Sequence, residues 1–149
     1  MAEYIAQTQD VSLGVPIVFD SSIPCNKGYI FHADGTGVFI LKGVTNNCFA
    51  RYQVTFTGNI SIPESGELSP IGIAISENGE IRSSSLGVFT PQAIEEQGQI
   101  TSKATITVPK GCCFAVAVRY ADATVEDPTV EPTPTIEVRN GSLEIVRTA

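Results

Sequence analysis

Four cysteines, one histidine and sixteen carboxylates are the side chains of this 149-residue chain best suited to chemistry. The cysteines are Cys25, Cys48, Cys112 and Cys113, the last two adjacent in "VPKGCCFAVAV". Adjacent residues of a strand point to opposite faces. The pair is therefore open to three readings: metal ligation, disulfides or packing. A single four-cysteine zinc site lacks a C-x2-C knuckle, and two ligands on opposite faces do not easily share one ion. Disulfides require an oxidising setting, outside a cell or on a virion. Buried free thiols acting as small hydrophobes are the third reading. A catalytic thiol needs a base, and nothing places His32, in "IFHADG", next to a cysteine. His32 reads as a turn or interface residue.

The carboxylates offer little more. Glu95 and Glu96 are neighbours on one short turn and point apart, which suits a solvated surface better than general acid–base work. Asp122, Glu126, Asp127 and Glu131 could supply oxygen to calcium, but their spacing is irregular, and a solvated acidic loop is the plainer reading. "PESGE" is not a nucleophile elbow, and "HADGTGVF" holds only a G-x-G at a hairpin. "NIS" and "NGS" match the glycosylation pattern, although "NGS" is more simply a turn. No cofactor is implied.

The elements that must carry these residues have a period of two. "FARYQVTFTGNISI" sets Ala50, Tyr52, Val54 and Phe56 on one face and Arg51, Gln53, Thr55 and Thr57 on the other. "QITSKATITVP" alternates likewise, and "PIGIAISENGE" turns at Asn78-Gly79, a strong hairpin signal. "GTGVFILKG" and "CCFAVAVRYA" are apolar on both faces, and the last strand, 134–149, is interrupted at Asn140-Gly141. With segments 11–19 and 28–33 this makes about eight to ten short strands, the pattern of an all-β sandwich or barrel. Only "TPQAIEEQG" suits a helical turn. One domain spans 1–149, with residues 1–10 as an N-terminal arm and 123–135 as an acidic, proline-rich surface loop.

A net charge of −7 argues against nucleic acid and anionic membranes as partners. No run reaches the length of a membrane helix, and "MAEYIAQTQDVSLGV" lacks the features of a signal peptide. Charged residues are only 17%, so much of the exterior must be threonine and other neutral polar residues, or be covered by other chains. A strand apolar on both faces points the same way, to a second buried surface such as an oligomer interface.

The order "GTGVFIL…RYQVTFTGNISI…SPIGIAISENGEI…ITSKATITVPKGCCFAVAV…GSLEIVRTA" resembles the jelly roll of tumour necrosis factor and complement globular heads. It is similar above all to bacterial versions at the tips of collagen-like spore-surface glycoproteins and in phage-associated proteins. One departure is that Gly111 is followed by Cys112-Cys113, where the family commonly has aspartate. The resemblance implies a two-sheet antiparallel sandwich that assembles as a homotrimer. Its axis would be lined by the sheet holding 49–60, 99–108 and 135–147, with Tyr52, Val54 and Phe56, or else Gln53, as interface candidates depending on which face is shared. It further implies that all four cysteines gather at one end, where Cys25 and Cys48 could each reach one of the adjacent pair. Cys112 and Cys113 would then serve two surfaces, one in the core and one toward a neighbouring loop or subunit.

These features lead to a non-enzymatic display module made in the cytoplasm and carried on a virion, a phage head decoration or fibre-tip protein, with a capsid or other particle protein as partner. The alternative is a bacterial cell- or spore-surface domain that binds a glycan or host protein through an aromatic-lined site at an exposed end. Tyr29, Tyr52 and Tyr120 are its only plausible stacking residues. A cupin-type enzyme needs several metal-binding histidines, and the chain has one.

Overall fold

The computed structural model describes residues 2–23, 29–33, 35–123 and 133–148. Among them the chain forms β1 (Ala2–Ala6), β2 (Gln9–Ser12), β3 (Ser21–Ile23), β4 (Ile30–Phe31), β5 (Val38–Lys42), β6 (Phe49–Ser61), β7 (Ile71–Glu77), β8 (Glu80–Ile81), β9 (Gly87–Phe89), β10 (Gly98–Pro109), β11 (Cys113–Asp122) and β12 (Thr135–Arg147). One sheet runs β10-β6-β12-β1-β3, with β2 also on β12; the other runs β4-β5-β11-β7-β8, with β9 also on β7. All pairings are antiparallel. The result is the expected all-β jelly-roll sandwich, with twelve strands among the described residues where about eight to ten were expected.

Alternation explains the layers. In β6, Ala50, Tyr52, Val54 and Phe56 are fully buried, and in β10 Ile100, Ala104, Ile106 and Val108 are buried beside them. Phe39, Leu41, Ile71, Ile73, Ile75, Val116, Val118 and Tyr120 close the core from the second sheet. Each large apolar side chain so buried contributes about 1.5–3 kcal/mol. Phe19 bridges the layers edge-on, 5.4 Å from Phe39 and 6.3 Å from Phe56 between ring centres.

Residues 1–10 are not a projecting arm. From residue 2 onward they pair as β1 and β2 along two stretches of β12. A bulge in β12 permits this: the register against β6 shifts between Arg139 and Ser142, and Asn140 takes a left-handed φ of 55°. β2 holds the strand before the bulge and β1 the strand after it. Segment 90–98 makes no helical turn. It bends at Glu95, whose φ of 66° is left-handed, and the only described helical turn is the 3-10 turn Ser83–Ser85. Of the acidic loop, 124–132 lie outside the described residues.

Candidate functional site

Loop 43–48, turn 109–112 and the end of β12 form one tip of the sandwich. The register brings them together: Pro109 pairs with Phe49, Cys113 with Lys42, and Arg147 with Tyr52. The backbones then lock. Lys110 N donates to Cys48 O at 3.0 Å, Gly43 N to Cys112 O at 2.8 Å, and Gly111 N to Gly43 O at 3.1 Å. A Cβ at Gly43 would stand 2.1 Å from the Pro109 carbonyl oxygen, so only glycine allows this approach.

This tip carries Cys48, Cys112 and Cys113, as the strand order implied. All three are exposed and free within the chain, which corrects the expectation of buried thiols for them. The reason is local. Cys112 belongs to the turn, its N donating to Pro109 O, and precedes β11; Cys113 takes the outward phase of β11. The inward place at this end goes to Phe114, which packs on the core. Cys25 lies outside the described residues. Among those described, no three histidine, cysteine or acidic side chains gather as metal ligands.

Sequence reasoning missed the best-built feature of the tip. The Arg147 guanidinium lies 4.2 Å from the centre of the Tyr29 ring and 5.9 Å from that of Tyr52. Its Nη2 donates to Val44 O at 2.6 Å, and its charge lies beside the Tyr52 hydroxyl. That hydroxyl donates in turn to Lys42 O at 2.6 Å. Burial pushes the Tyr52 phenol above its ordinary range, with the neighbouring Arg147 pulling it partly back. Tyr29, Val44, Thr45, Asn46, Asn47 and Arg147 line an open depression of about 410 Å³. No local sequence signal marks it, because the tyrosine and arginine come from opposite ends of the chain.

The remaining candidates resolve as structure. His32 stacks on Phe39 at 4.2 Å, and its Nε2 is hydrogen-bonded to Thr36 O at 2.9 Å. The Glu96 carboxylate accepts from Gln92 N and Ala93 N and so holds its own turn. Tyr120 is buried, with its hydroxyl on Thr133 O at 2.5 Å; burial, helped by Asp122, pushes the phenol up to about 12.

Of the interface candidates, Tyr52, Val54 and Phe56 are fully buried within the single chain. Their side chains face the second sheet, so a neighbouring subunit cannot reach them; only Gln53 of the four points outward. On that outward face the register aligns Thr101–Thr57–Ser142, Lys103–Thr55–Glu144 and Thr105–Gln53–Val146 in rows across β10, β6 and β12. Glu3 extends the middle row onto β1. The face is threonine-rich, basic at the Lys103 flank and acidic at the Glu3 and Glu144 flank. The doubly apolar strands lie in the other sheet, where Phe31, Val38 and Ile81 are exposed.

No family model and no curated protein matches the chain. Solved structures do. The globular domain of the zebrafish complement 1qA protein matches with a TM-score of 0.58 at 13% identity, over 96% of this chain and 94% of that one. The fold is that of tumour necrosis factor and complement globular heads. The Eiger TNF of S. frugiperda superposes with a TM-score of 0.63 at 12% identity, over 100% of this chain and 92% of that one. Murine APRIL gives 0.56 at 8% identity, over 96% and 97%.

Proposed function

We propose that this chain is a non-enzymatic structural and display module, a homotrimer of jelly rolls on the surface of a virion or other particle, such as a phage head decoration or fibre-tip protein. The observation that carries this is the outward face of the β10-β6-β12-β1 sheet. Its centre carries the neutral hydrogen-bonding side chains of Gln53, Thr55 and Thr57, and its flanks are complementary, Lys103 on one side and Glu3 and Glu144 on the other. A ring of three joins one patch of each copy to a different patch of the next. Opposite charges on the two flanks favour that head-to-tail contact and oppose a two-fold pairing of like flanks. The implied partners are two further copies and a capsid or other particle protein.

Light scattering on a sizing column, with and without reductant, tests the assembly. The expected native mass is about three times 15.8 kDa in both conditions. A monomer overturns the proposal. A trimer lost only in reductant transfers the assembly from the sheet face to the exposed thiols.

A second reading, a bacterial cell- or spore-surface domain that binds a glycan or host protein, is favoured by the Tyr29–Arg147 depression. It holds one aromatic side chain, Tyr29, with Arg147 over its ring, at an exposed end of the sandwich, which is where such a domain would place its ligand.

A further inference from the structure

We infer that the Tyr29–Arg147 depression binds a carboxylate-bearing sugar unit, a uronic or sialic acid rather than a neutral saccharide. This rests on the ligand-binding reading above and gives it a ligand class. Three observations support it.

The first is charge segregation. The chain carries nine Lys and Arg against sixteen Asp and Glu. Yet Lys42, Lys110 and Arg147 sit on this tip, with Arg51 at its margin over the Phe49 ring, and no acidic residue lies in 42–51, 107–114 or 145–148. The nearest acids in register are Glu77 and Glu80, three positions along β11 from Cys113, and Glu144, three pairs along β6 from Tyr52. Glu77 is already paired with Arg82 at 2.8 Å. At physiological salt, charges beyond about 8 Å are largely screened, so distant acids weigh little here against Arg147, the cation that lines the depression.

The second is a fixed guanidinium. Stacking on Tyr29 and the bond to Val44 O hold Arg147 in one place, so little side-chain freedom remains to be lost on binding. A guanidinium matches a carboxylate in shape and charge. The third is the wall. Thr45, Asn46 and Asn47 place a hydroxyl and two amides beside it, groups that donate to and accept from sugar hydroxyls. A long polyanion such as duplex DNA fits less well, because it would engage more phosphates than this tip has cations and would meet the net charge of −7 elsewhere on the chain.

The test is a titration of the isotopically labelled full chain, followed by amide and guanidine NMR signals, with glucuronate, galactose, acetate and a short DNA duplex in parallel. Glucuronate should shift the Asn46, Asn47 and Arg147 Nε signals and bind about ten-fold more tightly than galactose. That is the ratio expected when a neutral hydrogen bond is replaced by a charge-assisted one. The preference should shrink as salt is raised. The double variant Asn46→Ala/Asn47→Ala, on an exposed loop, should weaken glucuronate binding with the fold intact, whereas Arg147→Lys alone risks loosening the tip. If galactose binds as well as glucuronate, sugar recognition stands and the acid preference falls. If no sugar shifts any signal, both fall. Acetate binding as tightly as glucuronate, or DNA binding more tightly, overturns the inference in favour of a plain anion site or a nucleic-acid surface.

Discussion

Cys112 and Cys113 show what alternation can and cannot tell at the scale of one residue. A period of two sends them in different directions, but the strand begins only at Cys113, so the alternation does not extend to Cys112. One thiol is therefore a turn residue and the other an outward strand residue, and both meet solvent. In a Cys25→Ser background, the native chain should release three equivalents of thionitrobenzoate from Ellman's reagent without denaturant. Fewer than three would mean that an assembly interface covers one of them. Tyr120 gives a second test. Its folded pKa is raised to about 12 from 10.0, so the unfolded chain loses this proton first as pH rises. The stability tied to the neutral phenol is whole below pH 10 and is lost between pH 10 and 12. Tyr120→Phe should remove that alkaline loss from denaturation curves. It should also lower stability by about 1–3 kcal/mol at pH 7, because Thr133 O loses its buried donor.

At the scale of elements, what the sequence revealed depended on local chemistry. β6 and β10 were legible because alternation runs through their full length, and the β7–β8 hairpin because Asn78-Gly79 both take positive φ, 52° and 88°. Asn78 adds a bond that no pattern shows, its Oδ1 accepting from Ala115 N at 2.9 Å. β1 and β2 were not legible as sheet strands, because the bulge that lets both dock on β12 is a tertiary arrangement. The tip was half legible: strand order gathered three of the cysteines, while the Tyr29–Arg147 contact depends on two side chains meeting across the fold. Glycines separate two kinds of constraint. Gly79→Ala meets nothing within 4 Å and bears only the strain of its positive φ, about 1–2 kcal/mol. Gly43→Ala meets the Pro109 carbonyl oxygen at 2.1 Å and must push loop 43–48 away from turn 109–112. Urea midpoints should fall further for Gly43→Ala than for Gly79→Ala. NMR shifts at Asn46, Asn47 and Cys112 should move only for Gly43→Ala. Equal midpoints, with no shift at the tip, would show that the loop yields freely.

At the scale of the whole molecule, the two outward faces make different cases for assembly. The β10-β6-β12-β1 face is polar with complementary flanks, and the β5–β11 face is more apolar, with Ala115 and Ala117 between Phe31, Val38 and Ile81. Apolar area alone would favour the second as the shared surface, and charge pattern favours the first. A charge placed on each decides between them. Val54→Glu cannot serve, because Val54 is fully buried and a carboxylate there would unfold the chain instead of dividing the oligomer. Gln53→Glu changes a single outward group in the middle of the first face, and Val38→Glu an exposed edge position on the second. A carboxylate on a shared surface is repeated in every copy, and like charges brought together there cost several kcal/mol. Light scattering should show Gln53→Glu shifting the mass toward the monomer, with partial recovery at high salt as the repulsion is screened. Val38→Glu should leave the trimer whole. The reverse pattern would assign the assembly to the apolar face and leave the threonine rows free to meet the particle beneath.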